Sequence, residues 1–255
     1  MNKRVVITGM GVISPVGNDV NTFWSNLCDG VCGIDYIKSF PTDNLPVGIA
    51  GIIKDFKAEE YGMDKPFIRK QDLFTQYGVA AAYQAMRQSG LSSKGEDKNI
   101  DPFRLGVYFG SGIGGFATQY REISKMIEDP SGQWISPLFI PTMISNIAAG
   151  HIAILHNAQG PCLDIVTACA TSTNAMGEAF RAIRNGYADA IITGGCENAT
   201  IPIGIVGFAN AKALSRATDP NYASLPFNGN RAGFVMADGS AALVLEEYEH
   251  AKARG

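Results

Sequence analysis

The sequence predicts an α/β protein built on a five-stranded, mostly parallel sheet. Three observations predict it. Five short apolar runs recur along the chain, helical patterns fall between them, and glycine-rich or small-residue turns follow several of the runs. Short continuous apolar runs are the signature of strands buried on both faces, and their alternation with helices is that of a parallel sheet.

Val5-Val6-Ile7 leads into Gly9-Met10-Gly11, and reads as a buried strand ending in a glycine-rich turn. Asn18 to Asp29 reads as a helix, with Asn21 or Thr22 as its cap and Gly30 as its stop. Phe40 to Gly62 is broken by Pro41, Pro46, Gly48 and Gly51, and is expected to be irregular. Asp72 to Ser89 is rich in Ala and Gln and closed by Gly90, a strong helix. Lys94 to Pro102 is a polar loop. The remaining strands are expected at Leu105 to Phe109, Leu163 to Thr167, Asp189 to Thr193 and Ser240 to Glu246. Helices are expected at Gln119 to Glu128, Ile144 to His156 and Ser172 to Asn185. Residues 1–255 carry no internal repeat, low-complexity tract or composition break, so one domain is expected; the end, a charged helical stretch from Glu247 to Arg254, reads as a cut soon after a strand.

Composition narrows the function classes. The chain has 255 residues, 46% hydrophobic and 18% charged, with a net charge of −3. That balance is ordinary for a globular protein and gives no sign of a nucleic-acid partner. No apolar run approaches the roughly 20 residues that span a bilayer. The five cysteines are Cys28, Cys32, Cys162, Cys169 and Cys196. An odd count in a long chain argues against a disulfide framework and for a reducing cytosol. Cys28 and Cys32 lack the second Cys/His pair that would complete a zinc site.

The chemistry concentrates at Gly160-Pro161-Cys162-Leu163-Asp164-Ile165-Val166-Thr167-Ala168-Cys169-Ala170-Thr171-Ser172. It reads as strand, tight turn of small residues, then helix, with Cys169 in the turn. A helix start carries partial positive charge and unpaired N–H groups, which stabilise a thiolate and suit a nucleophile. The backbone N–H of Cys169 is a candidate oxyanion donor. The other four cysteines read as buried structural residues.

Gly160, Ile165, Ala168 to Ser172 and Met176 match the active-site signature of the β-ketoacyl synthases. Val5 to Gly11, Gly110 to Gly115, Gly194 to Glu197, Gly207-Phe208, Lys212 to Ser215, Pro226-Phe227 and Leu243 to Ala251 agree as well. The chain therefore resembles the condensing enzymes of fatty-acid elongation over its whole length. The resemblance implies a thiolase-like fold, of which this chain is the N-terminal half, with a C-terminal half outside it. It implies Cys169 as the acyl-accepting nucleophile, no metal or organic cofactor, and a cytoplasmic homodimer joined near the strand before Cys169. It implies Ile113 and Phe208 as acyl-pocket residues, and Lys65, Arg69, Lys70 and Lys212 as a patch that docks an acidic acyl carrier protein.

Two catalytic histidines of the family fall in its other half. His151, His156 and His250 match neither of the family's histidine contexts, and read as structural or terminal. Arg231-Ala232-Gly233-Phe234 has Ala where the family has Asp, and Ala237-Asp238-Gly239-Ser240 stands for Gly-Glu-Gly-Ala. Three readings stay open beside fatty-acid elongation: a polyketide-type ketosynthase, a degradative thiolase, and a non-catalytic half that dimerises or binds the carrier.

Overall fold

The structure, a computed structural model, describes residues 3–255. In chain order it contains β1 (Val5–Ile13), α1 (Val20–Cys28), β2 (Ile34–Tyr36), β3 (Ile49–Gly51), α2 (Lys65–Lys70), α3 (Leu73–Ser89), β4 (Leu105–Gly110) and α4 (Phe116–Glu128). There follow α5 (Phe139–Met143), α6 (Ile147–His156), β5 (Cys162–Leu163), α7 (Thr171–Arg184), β6 (Ala190–Glu197), α8 (Pro202–Asn210), β7 (Gly239–Glu247) and α9 (Tyr248–Ala253).

Five strands form one sheet in the order β1-β7-β6-β4-β5. β7 runs antiparallel to both neighbours, whereas β6, β4 and β5 are mutually parallel. Four strands thus point one way and β7 the other, the mostly parallel sheet the apolar runs predict. Every residue of β4 is buried, so its run has no polar alternation.

Layering follows from side-chain size. At Gly9 and Gly11 of β1, a Cβ would lie 2.0 Å from the carbonyl oxygens of Ala85 and Ala81 in α3. Glycine there lets α3 lie directly on the strand, and Ala80, Ala81, Ala82 and Ala85 are wholly buried in that contact. Asp72 caps α3 at its start and Gly90, in the left-handed region, closes it. α3 and α6 cover one face of the sheet around Phe74, Leu105, Phe109, Ile152 and Ile192. Each of these fully buried side chains contributes about 1.5–3 kcal/mol of transfer free energy. α7 packs on the other face through Ala179 and Ile183 against Tyr108, Ile191 and Leu245.

Several expectations need correction. The strand expected over Leu163 to Thr167 is only Cys162–Leu163; it is the sheet edge, and the chain then turns away. The helix expected from Ile144 starts at Ile147, because Ile144 is extended and ends the separate α5. Asp19, not Asn21 or Thr22, caps α1, accepting from both of their N–H groups. Part of the stretch expected to be irregular pairs as β3 with β2, and Lys65 to Lys70 form their own helix α2. Of the cysteines read as buried, only Cys196 is; Cys28 ends α1, Cys32 sits in a loop and Cys162 lies on the edge strand, so all three are exposed. His250 is not in an exposed tail: its Nδ1 lies 2.6 Å from the fully buried Glu246 carboxylate.

Candidate active site

β5 holds to β4 for two residues, after which residues 164–167 carry the chain across the sheet's end to a tight turn at Ala168–Ala170. Ala168 has φ +52°, a conformation that costs a non-glycine residue energy and that clusters at functional turns. Side chains hold it there. The Thr167 N–H donates to Thr171 Oγ1 at 2.9 Å, and Asn174 Nδ2 donates to Thr167 Oγ1 at 2.8 Å and to the Ala170 carbonyl at 3.1 Å. Glycines at the strand ends make room. A Cβ on Gly110 would lie 2.3 Å from the Ile165 carbonyl oxygen, and one on Gly195 2.9 Å from Ser172 Cβ.

Cys169 is exposed on this turn, just ahead of α7. No side chain caps α7; the Thr171 N–H turns back onto the Ala168 carbonyl, and the positive end of the helix dipole lies at the turn. Cys196, by contrast, is buried, and burial pushes its thiol well above the usual range.

Cys169 opens on a cavity of about 490 Å³ whose other walls include Ile113, Phe208, Phe234, Met236 and Glu197. Cys169 and both predicted pocket residues are therefore brought together. Phe208 on α8 and Phe234 meet edge to face, with ring centres 5.5 Å apart, and Ile113 and Phe208 pack against the core of Ile205, Leu214 and Met236. Such walls suit an alkyl chain, at about 0.8 kcal/mol per buried CH₂.

The predicted basic residues stand apart from the cavity. Lys65, Arg69 and Lys70 are exposed on α2, and Lys212 is exposed just beyond α8, the helix that carries Phe208. No histidine lines the cavity. His151 packs edge to face on Phe67 at 4.8 Å, and burial lowers its pKa. The pKa of His156 is pushed down to about 4, by burial first and by Lys94 second.

Glu197, Ser111, Phe234 and Met236 were not singled out by role in the sequence. For Glu197 the signal was a carboxylate ending an otherwise small and apolar strand. Its Oε1 accepts from Ser111 Oγ at 3.0 Å and its Oε2 from the Gly112 N–H at 2.8 Å. Burial raises its pKa, opposed by the donors of Ser111, Gly112 and Ile113.

Comparison with known proteins agrees with this geometry. The family described as "Beta-ketoacyl synthase, N-terminal domain" matches residues 2–251. Over 254 residues the chain is 46% identical to the 3-oxoacyl-[acyl-carrier-protein] synthase 2 of Vibrio cholerae, covering 99% of this chain and 60% of that protein. The Staphylococcus aureus protein of the same name is 45% identical, with 100% and 60% covered. A crystal structure of a β-ketoacyl synthase from Burkholderia phymatum superposes with a TM-score of 0.86 at 28% identity, over 99% of this chain and 61% of that one. A ketosynthase in complex with its type II polyketide acyl-carrier protein, bound to the hexaketide, gives 0.83 at 29%, over 100% and 60%. The chain thus spans about three-fifths of the length of the relatives it matches, and it belongs to the β-ketoacyl synthase family, of whose N-terminal domain it has the sequence and the fold.

Proposed function

We propose that residues 1–255 form the N-terminal half of an elongating condensing enzyme of fatty-acid synthesis, in the cytoplasm, with Cys169 as its nucleophile. The observation that carries this reading is Cys169 at the open start of α7, on an apolar cavity walled by Ile113 and Phe208. The Cys169 sulfur attacks the thioester carbonyl of an acyl-carrier protein. The new S–C bond forms as the carrier's thioester bond breaks, and the carrier thiol leaves with a proton. Malonyl-carrier then loses carbon dioxide, and its carbanion attacks the acyl-Cys169 carbonyl. This yields the 3-oxoacyl-carrier and frees the Cys169 thiol. The second stage needs imidazole donors, and on this reading they come from a C-terminal half.

Lys65, Arg69, Lys70 and Lys212 serve as the docking cations for the acidic carrier, raising its encounter rate at low salt. A second copy of the chain joins along the exposed edge at Leu163 and Val166. A cavity without histidine favours a second reading, in which residues 1–255 only bind the carrier or dimerise.

Mass spectrometry after incubation with acyl-carrier protein separates the readings. The expected result is one acyl adduct on Cys169, absent in Cys169→Ala and formed several-fold more slowly at low salt in Arg69→Glu/Lys70→Glu. A chain that binds the carrier but never gains the adduct is a binding half.

A further inference from the structure

We propose that Glu197 is a positioning residue that sets which acyl chains the cavity accepts, by clamping the turn of Ser111, Gly112 and Ile113 against the turn that carries Cys169. The proposal rests on the reading of the cavity as an acyl site.

The clamp is built from one carboxylate. Oε1 takes the Ser111 hydroxyl at 3.0 Å and Oε2 the Gly112 N–H at 2.8 Å. Ser111, itself buried, accepts the Gly114 N–H on the same Oγ at 2.9 Å, so the whole turn hangs from Glu197. Gly112 is the contact point. A Cβ there would lie 2.8 Å from Glu197 Oε2 and 3.6 Å from the carbonyl oxygen of Ala168, the strained residue before Cys169. A side chain at Gly112 would thus have to push the Glu197 carboxylate aside, while it would meet the Ala168 carbonyl at ordinary contact distance. The next residue is Ile113, whose side chain walls the cavity.

The sheet does not require this carboxylate. β6 is already paired to β4 as far as Gly195 and to β7 as far as Glu197 itself. Placing a charge among apolar walls costs free energy unless hydrogen bonds offset it. Among the described residues, the groups that donate to it all belong to the turn that presents Ile113. Asp238 nearby makes the contrast. It accepts from Asn198 Nδ2 and the N–H groups of Ala199 and Thr200, and so braces a segment that holds neither Ile113 nor Phe208 and meets the cavity only through Ala199.

The test is a competition on the whole chain. Hexanoyl- and hexadecanoyl-carrier protein are mixed in one tube, and the two Cys169 adducts are counted by mass spectrometry. A ratio is blind to a uniform loss of folded protein, so a purely structural role leaves it fixed. In Glu197→Gln the ratio is expected to move toward the longer chain by about fourfold or more, the worth of one buried CH₂. Ser111→Ala, which removes one donor and keeps the carboxylate, should move it the same way by less. It carries the test alone if Glu197→Gln does not fold. Both variants acylating at the wild-type ratio would overturn the proposal while the acyl site stands. Wild type acylated by neither donor would overturn the acyl site, and the proposal with it.

Discussion

At the scale of single residues, the site is a contrast between two cysteines. Cys169 is exposed on a strained turn facing an uncapped helix start, whereas Cys196 is buried and its thiol is pushed up by that burial. Reactivity of a thiol follows its thiolate fraction and its access. Brief iodoacetamide treatment of the folded chain at neutral pH, followed by peptide mapping, is therefore expected to label Cys169 first and leave Cys196 unmodified. Faster labelling at Cys28 or Cys32, which are also exposed but sit beside no helix start, would remove the argument from the position of Cys169. Cys169 was legible in the sequence because a strand, a run of small residues and a helix are visible as composition. Glu197 was visible only as a motif letter. Its role depends on burial and on donors from residues 111–112, some 85 positions away, and no local pattern encodes that pairing.

At the scale of elements, strand glycines decide how close the helices come. The Gly11 Cα touches α3 so closely that an added methyl would overlap the Ala81 carbonyl oxygen and contact Gln84 Cβ at 2.8 Å. Backbone on one side and a paired strand on the other leave little to yield. Gly11→Ala is expected to destabilise the fold by about 3 kcal/mol, the upper part of the usual overpacking range, read as a fall in the urea midpoint. Gly150→Ala, in α6 with nothing within 4 Å of its Cβ, should leave the midpoint unchanged or raise it. Equal effects at both positions would show that glycine is not specifically required on β1. The same closeness explains which elements could be read in advance. α3 is long and closed by Gly90, and β4 is an unbroken apolar run, buried throughout. β2 and β3 are three residues each, and their pairing spans a loop full of Pro and Gly that locally reads as irregular. The run after Pro161 is as apolar as a strand, yet only two residues pair, because the chain must leave the sheet to set Cys169 at the start of α7.

At the scale of the whole molecule, the sheet is covered unequally. α3 and α6 close one face, while α7 lies on the other. Side-chain alternation puts Met10 opposite Gly9 and Gly11, on the α7 side, where it is 42% exposed; Phe180 of α7 is 40% exposed. The relatives are longer, this chain covering 60% of each, and the open face offers exposed apolar side chains on which docking of a further polypeptide can be tested. What the cavity of residues 1–255 contains then separates the two chemical stages. In the proposed reading acyl transfer draws on the Cys169 sulfur and the start of α7, and both belong to this chain. Decarboxylation needs donors to a developing enolate. No histidine lines the cavity, and the three in the chain are engaged elsewhere: His151 against Phe67, His156 in a buried site that keeps it neutral, and His250 on Glu246. Loss of one such donor typically costs about a hundredfold or more. Residues 1–255 are therefore expected to form the acyl-Cys169 adduct slowly and to release no labelled carbon dioxide from malonyl-carrier protein above the rate of Cys169→Ala. Addition of a polypeptide carrying the family's two histidine motifs should restore release if it docks on the open face, and Met10→Asp together with Phe180→Asp should then block that restoration. Carbon dioxide release by residues 1–255 alone would place an imidazole of this chain in the reaction. Restoration that survives both charged substitutions would move the second half to another surface.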